Sequence, residues 1–263
     1  MQKVTSKDGS LIAFDKTGHG PAVILVSGAL GDRMAAVSLT PLLSPHFTVL
    51  AYDRRGRGDS GATAPYAVER EVEDIEALIK EAGGSAFVYG HSSGAVLALE
   101  ASATTRAITK LALYEPPFIL DTSRPPIPKD YVAHLEELVA AGRRGEAVEY
   151  FMTKAVGVPA EIVAQMQQSP MWAGMEKVAH TLAYDGQIMG DNMTGHPLRA
   201  ERWSSVTIPT LVIDGGASEP WAHHAAQAIT EALPNAQRRT LEGQTHNVDP
   251  ALLAPLLVEF YKD

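Results

Sequence analysis

The chain of 263 residues contains no cysteine. That absence excludes a disulfide framework, a thiolate metal site and a cysteine nucleophile, and it suits a reducing compartment. Long apolar runs are missing too: none approaches the ~18 residues needed to cross a membrane, and the opening MQKVTSKDGS lacks the apolar centre of a signal peptide. The expectation is a cytoplasmic protein with no membrane partner. Positive charge is scarce as well, with 22 Lys and Arg against 31 Asp and Glu, a net charge of -9. Nucleic-acid binding needs a basic surface that releases counterions, so no nucleic-acid partner is expected. The basic run Arg54, Arg55 and Arg57 lies inside a Gly-rich turn and is too short to reverse this. His223 and His224 are adjacent, so they point apart on a helix instead of forming the i, i+4 pair a metal would use. Neither metal nor cofactor is expected.

The 45% of residues that are apolar suffice for one sizeable core. Stretches near residues 2–6 and 10–15 flank Asp8-Gly9, a pair suited to the tight turn of an antiparallel hairpin. AVILVS (22–27), FTVLAY (47–52), SAFVYG (85–90), ITKLALY (108–114) and IPTLVID (208–214) are mostly continuous apolar runs, the pattern of parallel strands buried on both faces. In the helical pattern 67–82, Val68, Val72, Ile75, Leu78 and Ile79 recur at 3.6-residue spacing, and Gly83-Gly84 supplies the stop. This alternation predicts a doubly wound α/β sheet with right-handed crossovers.

From Pro116 to about Ser205 the strand rhythm stops, after a Pro-rich entry. The expected organisation is a core domain of 1–115 and 206–263 interrupted by a helical cap over 116–205, with segments at 130–141, 145–156, 160–168 and 171–184. The cap carries Phe151, Met152, Met166, Met171, Trp172 and Met175. Helical spacing favours the cap's own core for most of these; Trp172 and Met175 are the candidates for lining an apolar substrate pocket.

SAFVYG runs directly into Gly90-His91-Ser92-Ser93-Gly94, and a helical pattern follows. The bare G-x-S-x-G pattern is weak evidence, and a helix N-cap serine would also fit. Placement between a buried strand and a helix makes it a nucleophile elbow. On this motif, and on Asp53-Arg54-Arg55-Gly56-Arg57-Gly58-Asp59-Ser60, which is similar to a D-x-R-G-x-G-x-S turn, the chain resembles the α/β-hydrolase superfamily over essentially its whole length. The resemblance implies an eight-stranded, mostly parallel sheet with an N-terminal antiparallel hairpin and an inserted helical cap.

Serine is a poor nucleophile near neutral pH and needs a base. The family's chain order implies His246, in Gly243-Gln244-Thr245-His246. The resemblance also implies oxyanion donors at the backbone of Ser93 and of Ala29, in Val26-Ser27-Gly28-Ala29, where the family usually has His-Gly in place of Ser27-Gly28. The acid is contested. Anchored on Gly216, the G-x-x-D-P-like pattern puts Glu219 in the role; anchored on Gly215, it puts Ser218 there and leaves no acid. Asp214 at the strand end and Glu115 after the sixth strand are the rivals. The expected triad is Ser92, His246 and Glu219. Its expected activity is cleavage of a carboxylic ester or related acyl bond of a small to medium apolar substrate. A ligand-receptor role, carbon–carbon bond hydrolysis or a cofactor-free lyase reaction are the alternatives on the same residues. The partner is a small molecule, and oligomeric state is not encoded in any motif.

Overall fold

A computed structural model describes residues 1–263, with the side chain of Ala200 excepted. Eight strands form one sheet in the order β1-β2-β4-β3-β5-β6-β7-β8. Their ranges are β1 Gln2–Thr5, β2 Leu11–Gly18, β3 Ala22–Val26, β4 Thr48–Tyr52, β5 Ala86–His91, β6 Ile108–Tyr114, β7 Thr210–Gly215 and β8 Ala236–Leu241. Only β1 with β2 and β2 with β4 pair antiparallel; every later pairing is parallel. Gly9 takes φ +88° in the hairpin turn, and the Ser10 N–H donates to Asp8 Oδ1 at 2.9 Å. The turn chemistry of Asp-Gly thus closes the hairpin locally.

Both faces of the sheet are covered, which is why its central strands are mostly apolar: β3 and β7 are buried along their whole length. One face carries α2 (Val68–Glu81) and α3 (Ser93–Thr104); the other carries α1 (Thr40–Leu43) and α10 (Pro250–Lys262). The edge strand β8 alternates in exposure over 236–239, the pattern of one-sided burial.

Between β6 and β7 the chain is helical, with α4 (Tyr131–Ala140), α5 (Arg144–Tyr150), α6 (Ala160–Met166), α7 (Pro170–Val178) and α8 (Leu182–Met189). The later helix α9 spans Pro220–Ala232. Two expected helical segments differ. The helix predicted over 145–156 changes to a wider π-type turn at Phe151–Val156, ending on left-handed Gly157 at φ +86°. The segment predicted over 171–184 breaks into a tight turn at Ala179–Thr181, where the Thr181 hydroxyl donates to the Val178 carbonyl, and α8 then continues to Met189. The insertion has its own apolar cluster around Tyr131, Leu135, Val148, Val163 and Trp172. It also packs on the sheet's cluster through Phe118, Ile119, Ile188 and Trp203. No helix among the described residues is long and apolar enough to cross a membrane.

Candidate active site

The elbow is built by steric exclusion. Ser92 sits at φ +58°, ψ -128°, a conformation that L-residues rarely adopt, between the end of β5 and the start of α3. A Cβ on Gly90 would lie 2.5 Å from Ala95 Cα, and one on Gly94 would lie 2.4 Å from the Val26 carbonyl oxygen. Both neighbours are backbone and cannot yield, so the two glycines are what allow the turn. The Ser92 N–H donates to the Tyr114 carbonyl at 2.9 Å, which sets the serine beside the end of β6.

That neighbour strand delivers the carboxylate. Glu115 follows β6 at φ +43°, buried, and its Oε2 lies 2.8 Å from His246 Nδ1. The other oxygen, Oε1, accepts from the Gly215 N–H at 2.8 Å and from the Ser218 hydroxyl. Burial alone pushes the Glu115 carboxyl up, but its bonds from His246, Ser218 and Gly215 outweigh that and hold it below the ordinary glutamate value. With Nδ1–H donated to a carboxylate, the His246 Nε2 lone pair is left as the proton acceptor. The loop carrying His246 is pinned twice more. Tyr114 Oη donates to the Thr245 carbonyl at 2.6 Å, and His91 Nε2 donates to the His246 carbonyl at 2.9 Å. The His91 and His246 rings pack at 4.9 Å between centroids. Burial lowers His91 to about 4, so it stays neutral and serves as a donor.

Glu219, expected beside His246, is not there. It occupies the residue before Pro220 at the start of α9, without a side-chain capping bond. The carboxylate at the histidine is Glu115. The physical reason lies in the loop after β7, where Ser218, three residues past Gly215, takes the place in which the family pattern would put an acid. It donates its hydroxyl to a glutamate arriving from the next strand. Asp214, the third candidate, is buried at the end of β7 but bonds Arg238 through Nε at 2.9 Å and Nη2 at 2.7 Å, with Thr240 Oγ1 at 3.0 Å and His223 alongside. It braces the β7–β8 edge.

The loop after β3 approaches Ser92 closely: a Cβ on Gly28 would lie 2.9 Å from Ser92 Cβ. Ser27, standing where the family usually has histidine, donates its hydroxyl to the Gly31 carbonyl at 3.2 Å. Ala29 follows in this loop, and Ser93 is the first residue of α3, where a helix N–H has no partner within the helix.

Trp172 and Met175 are placed differently from the pocket role expected of them. Trp172 is buried in the insertion's own cluster with Nε1 donating to Glu176 at 3.2 Å, and Met175 packs against the same cluster. A cavity of about 280 Å³ instead lies between the loop after β3 and the histidine loop, with Ser27, Gly28, His91, Asn247 and Val248 in its wall. A larger one, about 520 Å³, lies in the insertion near Pro126, Asn192 and Arg199. Neither has Ser92 in its wall.

Sequence reasoning did not name the acids that meet the charged turn behind the elbow. Arg54, Arg55 and Arg57 are all buried. Arg54 forms a bidentate pair with Glu71, Arg55 pairs with Asp74 and Asp8, and Arg57 with Asp185. The legible signal was that three guanidiniums in one Gly-rich turn demand buried acids. Asp53 ties the same turn to the loop after β3 by accepting from the Arg33 N–H at 2.8 Å. No cluster of metal-ligating side chains occurs among the described residues.

The chain is similar to a solved alpha/beta hydrolase from Sphaerobacter thermophilus, with 58% identity over 99% of this chain and 100% of that one and a TM-score of 0.92. It is 26% identical to the 2-(acetamidomethylene)succinate hydrolase of Mesorhizobium japonicum over 88% of this chain and 84% of that protein. A shorter match, 35% identity over 96 residues, joins it to the uncharacterized hydrolase YraK of Bacillus subtilis and spans only 35% of either protein. The profile described as "Alpha/beta hydrolase family" matches residues 23–257. With the elbow, the strand order and that match in agreement, the chain belongs to the alpha/beta hydrolase family.

Proposed function

We propose that this hydrolase cleaves a carboxylic ester, or a related acyl bond, of a small to medium apolar molecule through an acyl-enzyme formed on Ser92. The observation that carries the reading is the Glu115–His246 bond at 2.8 Å beside a serine held at φ +58°. His246 Nε2 takes the Ser92 proton as Oγ attacks the carbonyl carbon, and the N–H groups of Ala29 and Ser93 receive the negative oxygen of the tetrahedral intermediate. Collapse breaks the bond to the leaving alcohol, which takes the proton from His246. Water then gives its proton to His246, attacks the acyl carbon, and releases the acid with Ser92 restored. Glu115 orients the ring and stabilises its charged form throughout.

A second reading, cleavage of an amide, draws on the relative named for hydrolysing 2-(acetamidomethylene)succinate. The same steps apply with nitrogen leaving. The test is fluorophosphonate labelling of Ser92, paired with turnover of short-chain p-nitrophenyl esters and of the matching anilides. Labelling and ester turnover, both abolished in Ser92→Ala, are expected; folded protein that does neither refutes the proposal, and turnover of anilides alone selects the second reading.

A further inference from the structure

We propose that Asp185, a carboxylate from the helical insertion, is a positioning residue that holds both oxyanion donors, the N–H groups of Ala29 and Ser93, in place around Ser92. The inference rests on the serine-hydrolase reading and deepens it.

Asp185 is 4% exposed on α8, among Leu182, Ala183 and Ile188. Its Oδ1 accepts from the Ser93 hydroxyl at 2.7 Å and from Arg54 Nη1 at 2.8 Å; its Oδ2 accepts from Arg57 Nη2 at 2.7 Å. Arg57 in turn donates through Nη1 to the Gly28 carbonyl at 2.6 Å and to the Gly31 carbonyl at 3.1 Å. A trans peptide is planar, so the carbonyl of Gly28 and the N–H of Ala29 are opposite ends of one rigid unit. Holding the first behind the loop turns the second outward, toward the nucleophile that approaches Gly28. Arg54 Nη1 supports the preceding Ser27 carbonyl at 3.3 Å, while Glu71 fixes that guanidinium from the other side.

The other donor is held by its own side chain. Ser93 follows the nucleophile directly, and tethering its hydroxyl to Asp185 fixes the orientation of the residue whose N–H faces the oxyanion. A purely structural ion cluster accounts for the burial of these charges, but it does not require one carboxylate to reach both halves of the site. Ala29 and Leu30 also pack against the insertion's apolar cluster, so the insertion confines the loop by contact as well as by charge. The oxyanion site is therefore assembled only with α8 seated on the sheet. An oxyanion donor is worth about 10²–10³ in kcat when removed, so misplacing one or both costs part of that.

The test is steady-state hydrolysis of a p-nitrophenyl ester and the rate of fluorophosphonate labelling of Ser92, in wild type, Ser93→Ala, Asp185→Asn and the double variant. Circular dichroism and thermal unfolding establish that each is folded. Ser93→Ala leaves both arginine pairs intact and decides the matter if Asp185→Asn does not fold. The expected losses in kcat are about three- to tenfold for Ser93→Ala and about ten- to a hundredfold for Asp185→Asn, with KM moving less than about threefold. The double variant is expected to be no worse than Asp185→Asn, because Ser93 acts through that carboxylate. Folded variants that match wild type in kcat, losses that appear in KM, or fully additive losses overturn the proposal. Wild-type protein that neither turns over ester nor labels at Ser92 overturns the serine-hydrolase reading and this inference with it. Wild type active in both assays, with unaffected variants, overturns this inference alone.

Discussion

Glu115 Oε2 lies 2.8 Å from His246 Nδ1, although 131 residues separate the two in sequence. Glu115→Gln keeps the side chain's volume but replaces the acceptor with an amide that does not stabilise a charged imidazole. Steady-state ester hydrolysis is expected to show kcat lowered by about a thousandfold or more. Glu219→Gln, a change at the start of α9, is expected to stay within about twofold of wild type. Equal losses in the two variants would contradict the assignment.

Acid stability should report His91. Its folded-state value is about 4, depressed by burial, whereas the unfolded chain titrates near 6.5. Between those values the unfolded state binds the proton and the folded state does not, so acidification through pH 6.5 to 4 costs stability and then levels off. The loss is at most about 3 kcal/mol. Asp74, raised to about 6 by burial, gains stability on acidification through part of the same window. The readout is therefore a difference: in urea unfolding at a series of pH values, wild type should lose more stability between pH 6.5 and 4 than His91→Asn does. The Glu115 carboxylate, held below its ordinary value, contributes in a lower window: its stabilisation is complete above the unfolded glutamate value and fades as pH falls through the folded one.

Two glycine substitutions should move stability in opposite directions. At Gly94 an added Cβ would meet the Val26 and Ser27 carbonyl oxygens at 2.4 and 2.5 Å, so Gly94→Ala is expected to abolish soluble folding or cost several kcal/mol. Gly174 lies inside α7 with nothing within 4 Å of such a Cβ. Gly174→Ala is expected to stabilise by about 0.5–1 kcal/mol, by restricting the unfolded chain and favouring helix. Thermal unfolding of both variants checks the pair.

Asp214→Asn separates structure from chemistry. The carboxylate bonds Arg238, Thr240 and His223 at the β7–β8 edge and makes no bond to His246. Because the Arg238 side chain is 26% exposed, the ion pair is partly screened, and a loss of about 1–3 kcal/mol is expected. The melting temperature should fall while kcat at a temperature well below it stays within about threefold of wild type.

The alternation of strands and helices, the hairpin turn and the small residues around Ser92 are local patterns, and the sequence by itself determined them; the order of the strands in the sheet came with the tertiary structure. Apolar runs can be buried on both faces only in a covered parallel sheet, and Gly90 and Gly94 are the residues a strained turn at Ser92 permits. The carboxylate partner was decided by tertiary structure alone. Whether Glu219, Asp214 or Glu115 reaches His246 depends on the direction in which each strand end points. Spacing from Gly215 or Gly216 left that open, and the positive φ of Glu115 and the Ser218 hydroxyl resolved it. The same holds for Asp185. An acid on an apolar helix of the insertion carries no local sign of its partners, because Arg54, Arg57 and Ser93 come from distant segments and meet it only when α8 packs on the sheet. Backbone periodicity is written in neighbouring residues, whereas the pairing of buried charges is a property of the packed chain.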